Sequence, residues 1–428
     1  MVRLTAISTL TLVCFTAIIS LLLLLNWRNG SHQISSTCHF SSINSEKYRT
    51  DNKYRDGCDY SKGKWIKHEA EPLYNGSCEQ MRNSLNCLKN RRPDKEYLKW
   101  RWKPKSCDLP RFDTHIFLKM LTNKHIAFVG DSLAWNQLES LICMVSSVAT
   151  PKISRQISVT KQDGEERFHY KKWRIGSNYN VTISGYWSPF LVQGNERNNS
   201  FPQSEIYTDR INEFWLRDYH LFDTVVITVG RWFYMPGLFY MGEKDNILLG
   251  CNYCSDSLNI TRIDISHMFK RILRNSFKAI IKKMRTTARN GNHVIINSYL
   301  PMHYEGGVGS NGTCTDTLPY EEGVRELDPF DIVMREAEME EVEAASDEVS
   351  KLGYFRLEMM DITKLSWFRS DAHPSIYRVD FPIDSYPKHL LQHDCLHWCL
   401  PGAVDTWNEI LLQLIKRWWV TPLKRGGG

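Results

Sequence analysis

A serine and an aspartate–histidine pair are the residues of this chain best suited to nucleophilic chemistry. Ser132 follows Gly-Asp in FVGDSLAWNQL, where an apolar run gives way to a helical pattern. Asp394 and His397 lie three residues apart in HDCLHWCLPG, so a single turn places both side chains on one side. A serine hydroxyl is a weak nucleophile that needs a base, and a carboxylate orients that base. These residues are therefore candidates for nucleophile, base and orienting acid.

Each of these residues also has a purely structural interpretation. Serine is a favoured N-cap of helices, so Ser132 could simply begin a helix. Asp394 and His397 could make only capping bonds within a disulfide-rich turn. Two other histidines compete for the role of base, His303 in LPMHYEG and His373 in SDAHPS. Spacing alone does not choose among the three histidines.

A zinc site is the rival use of the C-terminal residues. Cys251 and Cys254 form a CxxC, and Cys395 and Cys399 flank His397, a combination similar to zinc-ligand spacing. A single CxxC is weak evidence for zinc, and an oxidising compartment favours disulfides. We therefore predict no metal.

Alternating strand and helix patterns surround these residues. The apolar run KHIAFVG, from Lys124 to Gly130, predicts a strand, and the apolar spacing after it predicts a helix. Further strands are predicted in FDTVVITVG, NGNHVIINSYLP and YFRLEMMD. Further helices are predicted at 265–289, 328–353 and 401–419, the last with Pro401 near its start. This alternation predicts an α/β domain with a mainly parallel sheet and helices on both faces.

Candidate site residues follow several of the predicted strands. Ligands of such sheets gather at the carboxyl ends of the strands, where 130–132, 230–231 and 300–303 all lie. The N–H groups of Ser132 and Gly230 are candidate oxyanion donors, and Trp187 and Trp232 are candidate aromatic contacts to a substrate. The full set of oxyanion and substrate candidates is Gly230, Arg231, Asp131, Trp187, Trp232, His303, Asp371 and His373.

The composition describes a large folded chain that is mildly basic. The 428 residues are 42% hydrophobic, which is ample for one large domain or two lobes. Fifty-four Lys and Arg residues against 48 Asp and Glu give a net charge of +6, spread along the chain. No basic block is dense enough to indicate nucleic acid as a partner, whereas a carbohydrate partner remains compatible with this charge.

The N-terminus carries an apolar segment long enough to span a bilayer. Residues 4–25 contain no charge and are flanked by Arg3 on one side and by Trp27 and Arg28 on the other. We predict a cytosolic tail at 1–3, a signal anchor at 4–25, a stem at 26–56, a luminal domain at 57–420 and a tail at 421–428. A cleaved signal peptide is the alternative, but no clear small-x-small cleavage site follows the segment.

Sequons and cysteines indicate an oxidising lumen for the remainder. Eleven cysteines lie beyond the apolar segment, more than cytosolic proteins usually carry. Of six N-x-[ST] sequons, the one at Asn29 lies close to the predicted membrane. We predict glycosylation at Asn75, Asn180, Asn198, Asn259 and Asn311.

The sequence resembles the plant trichome-birefringence-like proteins, Golgi polysaccharide O-acetyltransferases of the PC-esterase, SGNH-like group. GDS at 130–132 and DCLHWCLPG at 394–402 carry the resemblance. It is supported, in order over 57–420, by CDYSKGKWI, PLYNGSC, YLKWRWKPKSCDLPRFD, YWSPFLV, FDTVVITVG and PGAVDTWNEI. The phrases YWSPFLV and DAHPS are most similar to the xyloglucan-acetylating branch, with mannan-acetylating members nearby.

The resemblance implies an SGNH-like fold and a Ser132–His397–Asp394 triad working by double displacement through an acetyl-serine. It implies a hemicellulose acceptor, an acetyl donor such as acetyl-CoA rather than a bound cofactor, and a single-pass type II protein of the Golgi membrane. A Cys-rich segment at 57–112 would wrap the α/β core. The disulfides that it implies are Cys58–Cys107, Cys78–Cys143, Cys87–Cys399 and Cys314–Cys395; Cys251–Cys254 is a candidate local pair.

The chain departs from the family pattern at two places. The family usually has Arg where Trp135 stands, and Gly-His-Trp where Gly230, Arg231 and Trp232 stand. One hypothesis is that Arg231 replaces the missing cation, because both positions would border one pocket. The alternative is drift in a less active or differently specific member.

The triad leaves two other functions open. A hydrolytic acetylesterase would use the same residues, with water instead of a sugar hydroxyl reaching the acyl-serine. A non-catalytic polysaccharide-binding scaffold would need none of them. Its only support is the pair of departures at Trp135 and Arg231.

Overall fold

The computed structural model describes residues 58–420, apart from 161–165, 177, 199–200, 243, 256–257, 287–291, 307–311, 354, 380–381 and 383–390. The predicted anchor at 4–25 and stem at 26–56 lie outside the described residues, as does the tail at 421–428. Within the described ranges, no helix is both long and apolar enough to cross a membrane.

The described strands and helices alternate along much of the chain. The strands are β1 (Gly63–Lys67), β2 (Trp100–Pro104), β3 (His125–Gly130), β4 (Pro151–Thr160), β5 (Glu166–Ile175), β6 (Val181–Trp187), β7 (Val192–Asn195), β8 (Ser204–Ile211), β9 (Thr224–Thr228), β10 (Gly237–Met241), β11 (Ile247–Asn252), β12 (His293–Asn297) and β13 (Arg356–Met360). The α-helices are α1 (Thr114–Met120), α2 (Ser132–Ser146), α3 (Glu213–Leu216), α4 (Ile265–Thr286), α5 (Pro329–Ser350), α6 (Thr363–Trp367) and α7 (Asp405–Val420).

The central sheet has the strand order β13-β12-β9-β3-β6-β5-β4. The strands from β13 to β6 run parallel, and antiparallel β5 and β4 extend one edge. This sheet confirms the predicted α/β class. A second sheet, β11-β10-β8-β7, was not predicted. Its strands come from the segments between β6 and α4.

Helices cover both faces of the central sheet. Along β3, Ile126 and Phe128 join one apolar core, whereas Ala127 and Val129 join the other. This alternation follows from the two-residue period of a strand and explains the uninterrupted apolar run in the sequence. Helices α2 and α7 supply the first core, and α4 and α5 supply the second. The arrangement fixes the ends of β3 and β9, where the candidate site lies.

The N-terminal segment of the described chain is tied to the α/β core by covalent bonds. Only short elements, among them the antiparallel pair β1 and β2, precede α1. Two disulfides cross from this segment into the core, Cys78–Cys143 on α2 and Cys87–Cys399 beside the C-terminal turn. The structure also contains Cys58–Cys107, Cys314–Cys395 and Cys251–Cys254. All four implied pairs and the candidate local pair are thus present.

The last helix begins later than the sequence pattern indicates. Its first residue is Asp405, whereas the prediction began the helix at Pro401. The backbone N–H of Gly402 donates to the Asp405 carboxylate at 3.2 Å, so 401–404 form a turn that leads into α7. Asp405 is among the residue types that favour helix starts.

Candidate active site

Ser132 is the first residue of α2 and lies directly after the end of β3. Asp131 precedes it in extended conformation, and its carboxylate accepts the backbone N–H of Leu133 at 2.9 Å. Asp131 is therefore the N-cap, and the interpretation of Ser132 as the cap is wrong. The half-buried Ser132 hydroxyl is left outside the capping interaction, at the positive end of a helix 15 residues long.

The turn before Ser132 requires a glycine. Gly130 has a φ of +153°, and a Cβ there would lie 1.9 Å from the carbonyl oxygen of Thr228 on β9. The N–H of Asp131 donates to the same oxygen at 3.1 Å. A side chain at Gly130 would push β3 and β9 apart, so the glycine allows the sharp strand-to-helix turn that presents Ser132.

Asp394 and His397 form the hydrogen-bonded pair expected of an orienting acid and a base. The His397 Nδ1 atom lies 2.9 Å from Asp394 Oδ2 and 3.1 Å from Oδ1. Asp394 Oδ1 also accepts the backbone N–H groups of His397, at 3.0 Å, and of Leu396, at 3.2 Å. The three-residue spacing thus closes a tight turn in which the carboxylate holds both backbone and ring.

The electrostatics of this turn keep Asp394 ionised. Burial acts to raise the pKa of Asp394, but the charge and hydrogen bonds of His397 and the charge of Arg378 outweigh it. The net result is a pKa well below the usual range of an aspartate. A carboxylate that accepts from Nδ1 fixes the tautomer in which the other ring nitrogen, Nε2, can take a proton.

The second ring nitrogen of His397 is buried and has no hydrogen-bond partner among the described residues. Since Nδ1 faces the Asp394 carboxylate, Nε2 is the ring nitrogen that is available to take a proton. Asp131, next to Ser132, is close enough to His397 for its charge to lower the Asp131 pKa. Burial is the larger effect and raises that pKa to about 6.

One residue that the sequence analysis missed connects the two halves of the site. Asn136, fully buried on α2, accepts the backbone N–H of Trp398 at 2.9 Å and donates to the Trp398 carbonyl at 3.2 Å. It lies four residues after Ser132 and therefore on the same face of the helix. The residue after His397 is thus bound one turn away from Ser132. Its spacing of four residues from Ser132 was the signal available in the sequence.

The C-terminal turn is held from several other sides. Ser375 and Asp394 exchange backbone hydrogen bonds at 3.0 Å, and the N–H of Cys399 donates to Ala372 at 2.9 Å. The disulfides Cys314–Cys395 and Cys87–Cys399 bracket His397. These links restrict the backbone that carries the pair, as catalysis by a preorganised group requires.

The competing histidines are engaged elsewhere. His303 and His373 are buried, and their rings contact each other at 2.7 Å between Nδ1 and Nε2. Their outer nitrogens lie within hydrogen-bond distance of the carbonyl oxygens of Trp367 and His397. Neither ring presents a nitrogen for a substrate, which leaves His397 as the candidate base.

Asp371, a predicted substrate candidate, is paired with a buried arginine in the structure. Both of its carboxylate oxygens accept from Arg369, at 2.8 and 3.1 Å, and both side chains are almost fully buried. The guanidinium of Arg369 also lies over the ring of Trp65, 4.4 Å from its centroid. These contacts fasten the N-terminal segment to the core and occupy the carboxylate.

The Arg231 side chain is buried and forms its hydrogen bonds on the β12 side of the sheet. Its guanidinium donates to Asp331 at 2.9 Å and to the hydroxyl of Tyr299 at 2.7 Å, in a site where the arginine is 5% exposed. Trp135 stacks instead on Phe168 of β5, with ring centroids 6.2 Å apart. The side chains of Arg231 and Trp135 have different partners, but both residues neighbour Asp131: the charge of Arg231 lowers the Asp131 pKa, and the Asp131 carbonyl oxygen accepts the backbone N–H of Trp135 at 3.3 Å. That the two departures border one pocket stays a hypothesis.

Gly230 and the two candidate tryptophans lie near the end of β3. Gly230 has a φ of +128°, and a Cβ there would lie 2.5 Å from the ring of Tyr299. Trp187, the last residue of β6, pairs with Gly130, and Trp232 meets it edge-on at 5.8 Å between centroids. Both tryptophans therefore flank the strand that leads to Ser132.

The cysteines considered for zinc are paired. Cys251 is bonded to Cys254, and Cys395 and Cys399 are bonded to Cys314 and Cys87. Sulfur in a disulfide is not a thiolate ligand. Four of the predicted glycosylation sites, Asn75, Asn180, Asn198 and Asn259, are exposed, and position 311 lies outside the described residues.

Two family models match adjoining parts of the chain. The PC-Esterase model, described as a GDSL/SGNH-like acyl-esterase family found in Pmr5 and Cas1p, matches residues 109–414. The PMR5 N-terminal domain matches residues 56–108.

Several plant proteins are similar over most of the chain. Xyloglucan O-acetyltransferase 1 of Populus trichocarpa is 44% identical over 363 residues, which cover 84% of this chain and 82% of that protein. Xyloglucan O-acetyltransferase 1 of Arabidopsis thaliana is 42% identical, with 84% and 81% covered. Trichome birefringence-like protein 25 of Arabidopsis thaliana is 33% identical, with 90% and 81% covered. The chain therefore belongs to the PC-esterase family, in its trichome-birefringence-like branch, and it is an enzyme of the acyltransferase class, as the resemblance implied.

Proposed function

We propose that this protein transfers acetyl groups to hydroxyls of a hemicellulose, with xyloglucan as the first candidate and mannan or xylan next. The Ser132–His397–Asp394 triad would carry the reaction. The observation that supports the proposal most is the buried, unpartnered Nε2 of His397, whose Nδ1 is held by Asp394. Similarity to proteins named xyloglucan O-acetyltransferase supports the acceptor.

The first half of the reaction forms an acetyl-serine. The Ser132 hydroxyl oxygen attacks the carbonyl carbon of the acetyl donor, and its proton passes to His397 Nε2. The bond between the acetyl carbon and the leaving group then breaks, and His397 returns the proton to that group. Asp394 stabilises the imidazolium that exists between these two proton transfers.

The second half transfers the acetyl group to the polymer. A sugar hydroxyl attacks the acetyl-serine, and His397 Nε2 accepts its proton. The ester bond to Ser132 breaks, and the serine oxygen recovers a proton from His397. The free enzyme is restored, so the donor, acetyl-CoA or another acetylated compound, is a co-substrate and not a bound cofactor.

The oxyanion formed in each half would be stabilised by N–H groups at the end of the sheet. The Ser132 N–H lies in the first turn of α2, whose N–H groups have no intrahelical acceptor. Gly230 is the candidate for a second donor, since its positive φ turns the chain sharply at the neighbouring strand end. Trp187 and Trp232 are the candidates for packing against sugar rings.

The proposed setting is the Golgi membrane. A type II anchor at 4–25 would place the catalytic domain in the lumen, where disulfides form and persist. The disulfides of the described chain and the exposed sequon asparagines are compatible with that compartment.

A panel of acceptors tests the proposal and separates it from its alternatives. The luminal portion, 57–428, would be secreted from a glycosylating host and incubated with a small acetyl donor and, separately, xyloglucan, mannan and xylan oligosaccharides. We expect an acetyl mass gain on one oligosaccharide that is absent with a Ser132→Ala variant. Donor cleavage without that gain would favour the acetylesterase. No Ser132-dependent chemistry from a folded protein would favour the scaffold.

A further inference from the structure

Two buried histidines form a hydrogen-bonded chain that ends on the backbone of the proposed base. His303 Nε2 lies 2.8 Å from the carbonyl oxygen of Trp367, and His303 Nδ1 lies 2.7 Å from His373 Nε2. His373 Nδ1 lies 2.6 Å from the carbonyl oxygen of His397. The two histidines are only 5% and 2% exposed. The chain therefore runs through the protein interior from α6 to the peptide of His397.

The number of protons on this chain is constrained by its two ends. A carbonyl oxygen only accepts, so His303 Nε2 and His373 Nδ1 must both carry a hydrogen. Two neutral imidazoles hold two N–H hydrogens in total, and the carbonyls use both. The inner nitrogens, His303 Nδ1 and His373 Nε2, would then face each other with two lone pairs at 2.7 Å. Only a third proton turns that contact into a hydrogen bond.

We propose that His303 and His373 share one proton between these inner nitrogens, and that the singly charged pair is a positioning element for His397. The proton satisfies all three bonds of the chain at once. The last of these bonds restrains the His397 carbonyl group, and Asn136 binds the backbone of the next residue, Trp398. The role in catalysis rests on His397 being the base, as proposed above, whereas the shared proton does not.

Burial opposes the charge, and neighbouring aromatic rings favour it. Burial lowers the pKa of His303 to about 4 and holds the pKa of His373 well below its usual value. However, the ring of Trp367 is stacked on His303 at 4.9 Å between centroids, and that of Trp398 lies 4.9 Å from His373. The faces of these indoles attract a cation, most strongly where water is excluded.

Charged groups around the pair act in both directions. The carboxylates of Asp394, facing His373, and Asp316, facing His303, favour the shared proton. Three guanidinium groups oppose it. They belong to Arg92, which faces His373, and to Arg231 and Arg325, which face His303. Asp394 is ionised because its pKa is lowered, so its charge is present at every pH at which the enzyme would work.

Loss of the shared proton would break one bond of the chain. A neutral pair keeps two hydrogens for three contacts, so either a carbonyl bond or the contact between the rings must open. The proposal predicts that the His397 peptide becomes less restrained as pH rises through the pKa of the pair. It therefore predicts an alkaline fall in kcat that originates outside the triad.

The pH dependence of stability tests the shared proton without any assay of activity. The full-length chain in detergent would be compared with His303→Gln, which can still donate to the Trp367 carbonyl but does not titrate. In the unfolded chain each histidine titrates near pH 6.5. With a shared proton, the folded wild type holds one proton more than the variant at neutral pH. Its stability relative to the variant is then constant below about pH 6.5 and falls as pH rises above it.

A neutral pair predicts the opposite pattern. The wild type would then gain stability over His303→Gln as pH rises to about 6.5 and would show no further change above it, because neither folded protein holds the extra proton. That result would overturn the proposal. Both proteins must melt cooperatively, as followed by circular dichroism, for the stability difference between them to be measured. His373→Asn is a second variant that lacks one of the two titrating histidines, and the same pattern is expected for it.

Kinetics test the positioning role. His373→Asn keeps a donor near the position of Nδ1, whereas His373→Leu removes it. We expect His373→Leu to lower kcat about tenfold with little change in KM, and His373→Asn to recover most of the loss while abolishing the alkaline fall. Equal kcat in the two variants, or an alkaline fall retained in His373→Asn, would refute the role even if the stability data support the shared proton.

Discussion

Replacing Asp394 with asparagine should stop His397 from acting as a base while leaving its position intact. Asp394 Oδ1 accepts the N–H groups of Leu396 and His397, and an asparagine oxygen can accept both. The new NH2 group then takes the place of Oδ2, 2.9 Å from His397 Nδ1. A donor at that position forces Nδ1 to accept, so the ring hydrogen moves to Nε2 and blocks proton uptake there.

The size of the effect follows from the lost charge. An imidazolium and a carboxylate in this contact have charge centres about 4 Å apart, and at an effective dielectric constant of about 20 they attract by about 4 kcal/mol. This attraction exists only while His397 is protonated, so it stabilises the transition state and not the resting enzyme. We expect kcat to fall about a thousandfold, with a smaller change in KM.

The assay is the rate of acetyl transfer to the oligosaccharide that the wild type acetylates, together with the melting temperature. Asp371→Asn is the matched control, since Asp371 is also a buried aspartate but is paired with Arg369. We expect this control to lower the melting temperature and to retain kcat in the folded protein, the reverse of Asp394→Asn. An Asp394→Asn enzyme within tenfold of wild-type kcat would refute the reasoning.

Other predictions concern the support of the site. Asn136→Leu removes both bonds to the Trp398 backbone and should lower kcat while changing KM less. Steady-state kinetics measure both constants, with circular dichroism as the folding control. An unchanged kcat would contradict the proposed link between Ser132 and the turn that carries His397. Joint replacement of Cys314 and Cys395 by serine should destabilise the fold by about 3–5 kcal/mol in denaturant titrations and lower kcat, and full stability would contradict the bracing role. Asp131→Asn preserves the cap, but burial raises the pKa of Asp131 from 3.8 to about 6, so ionising it destabilises the fold. The variant should therefore gain stability relative to wild type as pH rises from about 4 to 6, and a constant difference in melting temperature would contradict that pKa.

The central strands and the long helices were predictable because their patterns are local. Strands β3, β9 and β12 are buried on both faces and read as uninterrupted apolar runs. The spacing of apolar residues on α4 defines a helix by itself. The positions of the candidate triad residues were predictable for a similar reason, since Ser132 directly follows one strand and Asp394 and His397 lie within one turn.

The strands between α2 and α4 could not be predicted in the same way. Most residues of β4 are exposed, so polar side chains interrupt its apolar alternation. The second sheet joins β8 to β10 in parallel, a pairing of distant segments that no local pattern specifies. The sequence analysis considered Ser132 as the helix cap, whereas the structure shows that Asp131, also a favoured capping residue, precedes the first turn.

The histidine chain was also beyond the sequence. His303 and His373 are 70 residues apart and are brought together by the strand ends and the C-terminal turn. The sequence identified both as candidates for the base, but their burial and carbonyl contacts exclude that role. A histidine that positions another residue is hard to recognise from sequence. It has the same residue type as a catalytic histidine, and only its buried surroundings distinguish the two.

The most direct test of the account is to find the acetyl group on Ser132. The luminal portion would be mixed with a small acetyl donor in the absence of acceptor, quenched in acid and digested, and the peptide containing Ser132 would be weighed by mass spectrometry. We expect that peptide to gain the mass of one acetyl group, and to lose it when the oligosaccharide acceptor is added before quenching. The His397→Ala variant, which lacks the base, should show no gain. Transfer to the oligosaccharide at the wild-type rate by a Ser132→Ala enzyme, or an acetyl group that forms on another residue and is passed to the acceptor, would contradict the account.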